Sequence, residues 1–221
     1  MKEKLAIGVL VSGSGSNLQA VIDSIEAGKL DATVKIVVSN RTEAYALERA
    51  AKHGIETVVI DHRAYDSRTG FEQALIDTFR SRSVQLVVMA GFMRILSEHF
   101  LGAFPMKVLN IHPALLPSFK GMHAQEQAFD YGVKFSGCTV HFADPGVDSG
   151  PIIIQSVVPV LPDDTADILR ERILREEHRI YPQAIQFYAE GRIEISGRNV
   201  RVRGQKPLSD TAVCNPPTEG M

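Results

Sequence analysis

Cysteine is almost missing from this chain: Cys138 and Cys214 are the only two in 221 residues. They lie far apart and form no C-x-x-C pair. That argues against a disulfide framework and a cysteine-built zinc site, and points to a reducing cytoplasm. A basic excess is missing too, since 24 Lys and Arg against 26 Asp and Glu leave a formal charge of −2. A nucleic-acid-binding face normally needs such an excess, although a small basic pocket for one phosphorylated metabolite stays open. No apolar run approaches the roughly 20 residues of a membrane span. The stretch Leu5–Val11 behind Met1-Lys2-Glu3-Lys4 is too short for a signal peptide and runs into Ser-Gly-Ser-Gly without a clear cleavage site. It reads as a buried first strand. What remains is ordinary for a folded chain, with 44% hydrophobic and 23% charged residues, at a length that suits one domain with or without a tail.

Short β-branched runs alternate with segments of helical period. Leu5–Val11, Val34–Val38, Thr57–Ile60, Leu86–Met89 and Val108–Ile111 read as strands. Asn17–Ala27, Glu43–Lys52, Gly70–Arg82 and Ser97–Phe104 read as helices, with Ser97 as an N-cap and Gly54 as a stop. Strands apolar on both faces and separated by helices imply a parallel sheet covered on each side, a doubly wound, Rossmann-like α/β unit. After Ile111 the rhythm changes. His112–Gly132, with Pro113 and Pro117, reads as a long loop holding one helical stretch. Ser136–Phe142 and Ile152–Val158 read as antiparallel edge strands around the loop Ala143–Pro151. Thr165–Ala189 is the longest helical pattern, which Pro182 is expected to kink or divide. Ile193–Ile195 and Val200–Val202 suit a small hairpin. The single domain is expected to cover residues 1–206, and the polar, proline-bearing segment 207–221 reads as a disordered tail.

Two places carry chemistry. The first strand runs into Ser12-Gly13-Ser14-Gly15-Ser16-Asn17 and then a helix, whose N-terminus offers N–H groups and a positive dipole end to an anion. The lysine of a P-loop is absent, as is the full dinucleotide spacing. The loop therefore suits a compact phosphate monoester, or is simply a tight turn capped by Ser or Asn. The second place is the end of strand Val108–Ile111, where Asn110 and His112, two residues apart, point to one side of the crevice beyond the strand ends. Asp148 lies in the later Gly/Pro loop. Each residue alone has a structural reading: a strand-end histidine, a loop-capping asparagine, a turn aspartate. Together an amide donor, an imidazole and a carboxylate serve acyl transfer by stabilising an oxyanion and moving a proton. No Ser or Cys nucleophile stands out, which favours direct attack over a covalent intermediate. His112 and His141 have no metal-ligand spacing.

Ser12 to Gln19, Ala90-Gly91-Phe92-Met93-Arg94-Ile95-Leu96, Asn110-Ile111-His112-Pro113 and Asp148-Ser149-Gly150-Pro151-Ile152-Ile153 occur in this order and spacing. Together they resemble the phosphoribosylglycinamide formyltransferases, also called glycinamide ribonucleotide transformylases, from Leu5 to about Arg192. The resemblance implies that Gly15, Ser16, Asn17, Leu18 and Gln19 hold the phosphate and ribose end of the glycinamide ribonucleotide, with Glu177 near its glycinamide end. It implies that Met93, Arg94, Ile95 and Leu96 line a folate pocket, with Arg68 and Asn110 also touching the formyl donor. His112 is then the general acid and Asp148 the residue that raises its pKa. The implied donor is 10-formyltetrahydrofolate as a co-substrate, without metal or nucleotide cofactor. The implied partners are small molecules, and the implied state is a cytoplasmic monomer or homodimer. Formyltetrahydrofolate deformylase shares the Asn, His and Asp but hydrolyses the donor, and usually carries an N-terminal regulatory domain. Methionyl-tRNA formyltransferase carries a C-terminal RNA-binding domain. A non-catalytic phosphometabolite binder would leave Asn110, His112 and Asp148 without a shared purpose.

Overall fold

A computed structural model describes residues 3–205 and Asn215. Seven strands form one sheet in the order β3-β2-β1-β4-β5-β6-β7. They are β1 Leu5–Val11, β2 Ala32–Ser39, β3 Thr57–Val59, β4 Leu86–Met89, β5 Val108–His112, β6 Phe135–Phe142 and β7 Ile152–Pro159. β1 to β5 are parallel, and β6 runs antiparallel to both β5 and β7. The expected mostly parallel sheet with antiparallel strands at one edge is therefore present. The strand order reverses between β1 and β4, the switch point beyond which an open α/β sheet forms its ligand crevice.

Residue alternation explains why the parallel strands are apolar throughout. Ile7, Val9 and Val11 of β1 and Leu86 and Val88 of β4 enter one core, with Leu18, Val21, Ile173 and Tyr181. Leu10 of β1 and Val87 and Met89 of β4 enter the other, with Phe71, Phe79 and Phe100. Neighbouring side chains on a strand face opposite ways, so a sheet covered on both faces buries every position. The covering helices are α1 Ser16–Glu26, α2 Tyr45–Lys52, α3 Arg68–Arg80, α4 Glu98–Ala103, α5 Ala124–Tyr131 and α6 Ala166–Ala189. A 3₁₀ turn lies at His62–Ala64. The hairpin β8 Ile193–Ser196 and β9 Asn199–Val202 forms a sheet of its own.

Two local expectations change. Pro182 does not divide α6, which runs unbroken for 24 residues. Burial of Ile180, Tyr181, Ala184 and Ile185 on both sides of the proline holds the helix across the missing hydrogen bond. Ser97 occupies the N-cap position of α4 but makes no side-chain cap bond, because its hydroxyl is given to Glu72. The 112–132 segment does contain one helix, α5, eight residues long. The expected disordered tail lies outside the described residues, apart from Asn215, whose side-chain amide donates to the carbonyls of Lys134 and Val160. Among the described residues no helix is long and apolar enough to cross a membrane.

Candidate active site

Asn110, His112 and Asp148 meet in one cluster. The His112 Nδ1 stands 3.3 Å from Asp148 Oδ2, and Asn110 Nδ2 donates to Asp148 Oδ1 at 3.3 Å. The loop between β6 and β7 starts next to Phe142, which pairs with Leu109 near the start of β5. Asp148 nevertheless reaches His112 at the strand's end, so the loop folds back across the sheet. Gly150 permits that return: a Cβ there would lie 1.8 Å from the Phe142 carbonyl oxygen. The Gly121 N–H donates to Asp148 Oδ2 at 2.9 Å, which ties the loop after β5 to the loop after β6. The other ring nitrogen of His112, Nε2, lies 2.7 Å from the carbonyl oxygen of Phe119.

Both residues that present an acceptor to the imidazole have left-handed backbones, Phe119 at φ 49° and Asp148 at φ 45°. Such conformations cost about 1 to 3 kcal/mol each for non-glycine residues and persist where the surroundings impose them. Only the imidazolium can donate to both acceptors at once. The opposing effect is larger. Burial of His112, which is 4% exposed, pulls its pKa down, while the Phe119 carbonyl and the Asp148 charge push it up; the net direction is below the ordinary value. The contribution expected of Asp148 is thus present with the expected sign, but it does not win. Burial also pushes Asp148 up, yet the closeness of His141, the hydrogen bond from the Gly121 N–H and the nearness of His112 outweigh it and hold its carboxyl below the ordinary value.

A second histidine, His141, completes the cluster. It is the cross-strand partner of Asn110, and so shares its face of the sheet. Its Nδ1 lies 2.8 Å from the Phe142 carbonyl oxygen, which fixes the tautomer that leaves Nε2 as an acceptor. Nε2 then receives Asn110 Nδ2–H at 3.2 Å. Both contacts of the Asn110 amide are long for hydrogen bonds, as contacts at sites of proton transfer often are before a substrate tightens them.

The loop after β1 is a backbone device. Gly15 stands at the N-cap of α1 with φ 71° and no side-chain cap. Its φ suits glycine, and a Cβ there would lie 2.6 Å from Ala46 Cβ. Neighbours from α2 brace the loop: Ala46 N–H donates to the Gly13 carbonyl at 3.1 Å, and Arg49 Nε to the Ser14 carbonyl at 2.9 Å. Asn17 turns inward rather than capping, and its Nδ2 donates to Glu177 Oε2 at 2.6 Å. Glu177 is 6% exposed, and burial pushes its carboxyl up against the lowering effect of Asn17. The Asn17 Oδ1 is buried without a hydrogen-bond partner. Ser16 and Gln19 line an open cavity of about 360 Å³ along α1, with Arg49 and His178 opposite. Leu18 points into the core.

The segment after β4 lies beside both. Met93 and Ile95 expose 62% and 55% of their surface, while Leu96 is buried in the core with Phe92 and Phe100. Arg94 is half-buried. Arg68 Nη2 donates to the Ile95 carbonyl at 2.6 Å. Among the described residues, no three or more of His, Cys, Asp and Glu are grouped to hold a metal ion.

Comparison with known proteins gives this geometry its family. Residues 5–185 match the family described as formyl transferase. The chain belongs to that family. It is 42% identical over 200 residues to the phosphoribosylglycinamide formyltransferase of Escherichia coli, covering 90% of this chain and 94% of that protein. It is 46% identical over 201 residues to the human trifunctional purine biosynthetic protein adenosine-3, covering 91% of this chain and 20% of that protein. The chain thus spans about one fifth of the length of the animal trifunctional proteins it matches. A solved structure of glycinamide ribonucleotide transformylase 1 from Symbiobacterium toebii superposes with a TM-score of 0.89 at 52% identity, covering 91% of this chain and 95% of that one.

The sequence leaves four neighbours of the candidate site without a role: His141, Arg49, Phe119 and Glu72. Alternation along β6 puts His141 on a face but says nothing of its partner across the sheet. Arg49 and Phe119 act on backbone carbonyls or through them, which no residue pattern displays. Glu72 reads as one more polar position on an amphipathic helix.

Proposed function

We propose that this chain transfers the formyl group of 10-formyltetrahydrofolate to the glycinamide amine of 5-phosphoribosylglycinamide, a step of purine biosynthesis. The observation that carries this reading is the meeting of an amide, an imidazole and a carboxylate at the end of β5. The names of the relatives that the chain covers nearly end to end support the same acceptor.

The acceptor's phosphate and ribose sit against Gly15 to Gln19, where first-turn N–H groups and the helix dipole favour an anion. Glu177, held by Asn17 Nδ2, offers a carboxyl acceptor to the N–H groups of the same substrate. Met93 to Leu96, with Arg68 and Asn110, receive the formyl donor. The amine nitrogen attacks the formyl carbon, and the carbonyl electron pair moves to oxygen. The long 3.3 Å contacts that Asn110 Nδ2 and His112 Nδ1 make with Asp148 give way to hydrogen bonds from these two groups to that oxyanion, with His112 protonated. The carbon–nitrogen bond to the folate then breaks. The attacking nitrogen loses one proton and the folate nitrogen gains one, so the balance closes with His112 as carrier. Asp148 orients the ring and favours its charged form, opposing the effect of burial. Holding both substrates in one crevice removes much of the entropic barrier to their encounter.

The purified protein is given 10-formyltetrahydrofolate with and without 5-phosphoribosylglycinamide, and loss of the formyl group is followed. Loss that depends on the acceptor is expected. Equal loss in its absence would make the chain a hydrolase and overturn the reading.

A further inference from the structure

We propose that Glu72, on α3, is a positioning residue for the formyl donor: it holds the Met93–Leu96 segment in the shape that receives the folate. This rests on the reading of that segment as the donor pocket.

Glu72 is 1% exposed, and a carboxylate that deep is tolerated only when paired and hydrogen-bonded. Its partners come from two directions. Arg68 Nε donates to Oε1 at 3.1 Å, from one turn earlier on the same helix. Ser97 donates twice, from its backbone N–H to Oε1 at 2.8 Å and from its hydroxyl to Oε2. The free side of Arg68 then reaches over to the Ile95 carbonyl at 2.6 Å. At the opposite end of the segment, the Met93 N–H donates to Ser12 Oγ at 2.9 Å, and that hydroxyl donates to Asn40 Oδ1 at 2.6 Å. A stretch with neither helix nor strand is therefore held at Met93, Ile95 and Ser97 by polar side chains.

The side chains this framework carries show what it is for. Leu96 is seated in the core, but Met93 and Ile95 stand out in solvent on a fixed backbone. An ion pair with Glu72 buried and Arg68 half-exposed adds little net stability; its contribution is geometric. Exposed apolar groups on a pinned backbone form a surface prepared for a flat, largely apolar ligand, with the ordering cost met before binding. Glu72 touches no substrate; it acts through Arg68 and Ser97.

Steady-state kinetics of Glu72→Gln test this. Glutamine keeps the shape but turns an NH₂ towards donors, so part of the clamp opens. The KM for 10-formyltetrahydrofolate is expected to rise roughly tenfold, the scale of one lost charge-assisted hydrogen bond. The KM for 5-phosphoribosylglycinamide and kcat are expected to stay within about twofold. A donor KM within twofold of wild type, or all three constants moving together, would overturn the role. Ser97→Ala removes only the hydroxyl bond and carries the test if Glu72→Gln fails to fold, with an expected rise of about threefold in donor KM alone. Hydrogen exchange of wild-type residues 93–97 with the donor alone separates the two readings. Protection there together with an unchanged donor KM in both variants would sink the role of Glu72 only. No protection in wild type would sink the donor pocket, and this inference with it.

Discussion

The loop after β1 and the cluster at the end of β5 are both polar sites at strand ends, yet they are built in different ways. The loop is made of consecutive residues, and the groups it offers a ligand under the proposed function are backbone N–H groups shaped by one glycine. The cluster draws Asn110 and His112 from one strand, His141 from its antiparallel neighbour and Asp148 from a loop that folds back. The loop is braced from outside by α2, whereas the cluster is buried enough to pull the His112 pKa down. A binding device can be local and backbone-made, because an anion needs only oriented donors. A proton-moving device needs side chains of different chemistry at set distances, and only a tertiary fold assembles them.

If the two devices are separate in function, variants should divide between them. The largest effect is expected from His112→Ala, which should lower kcat by about 100-fold or more for a lost acid and oxyanion donor. The acceptor's dissociation constant, measured by calorimetry, should hardly move. Near-normal turnover would remove His112 from the chemistry.

Gly15→Val should do the reverse. The left-handed φ of 71° and the approach to Ala46 strain any side chain there. On the order of 1 to 3 kcal/mol of strain would raise the acceptor KM roughly tenfold, with the donor KM unchanged. A donor-specific defect would mean the loop serves the other substrate.

Asp148→Asn sharpens the comparison through pH. The aspartate charge pushes the His112 pKa up, so removing it leaves burial less opposed and the pKa falls further. The limb of the pH–rate profile that belongs to His112 should therefore move to lower pH. A limb that stays in place would detach the carboxylate from the imidazole. The smallest effect on the fold is expected from Glu177→Gln. Burial raises the folded-state pKa of Glu177 above its unfolded value. Its charged form therefore costs stability once the pH passes the unfolded pKa, and that cost vanishes in acid. Glutamine keeps an acceptor for Asn17 and removes the charge, so its melting temperature relative to wild type should increase from pH 4 to pH 8. A variant that loses ground as the pH rises would show that the charge stabilises the fold.

Much of this was legible in the chain itself. The strand positions follow from β-branched runs, and the alternation of Ile7, Val9 and Val11 with Leu10 explains why both faces are covered. The antiparallel edge was visible in the shift to Gly- and Pro-rich connections after Ile111. Misreadings arose where a distant partner competed for a residue. Ser97 has the right side chain for an N-cap, but a buried carboxylate on another helix takes its hydroxyl. Pro182 has the chemistry of a break, but packing on both sides keeps the helix whole.

The sequence by itself determined the loop after β1, because glycine spacing, strand and helix there are all local properties of neighbouring residues. It also put Asn110 and His112 on one side of a strand, since alternation is intrinsic to an extended chain. Only the tertiary structure decided that Asp148 lies 3.3 Å from His112, that His141 stands behind Asn110, and that burial outweighs the aspartate in setting the histidine's proton affinity. Those depend on strand register, on a loop's return path and on the exclusion of water, none of which is a property of any short stretch of chain.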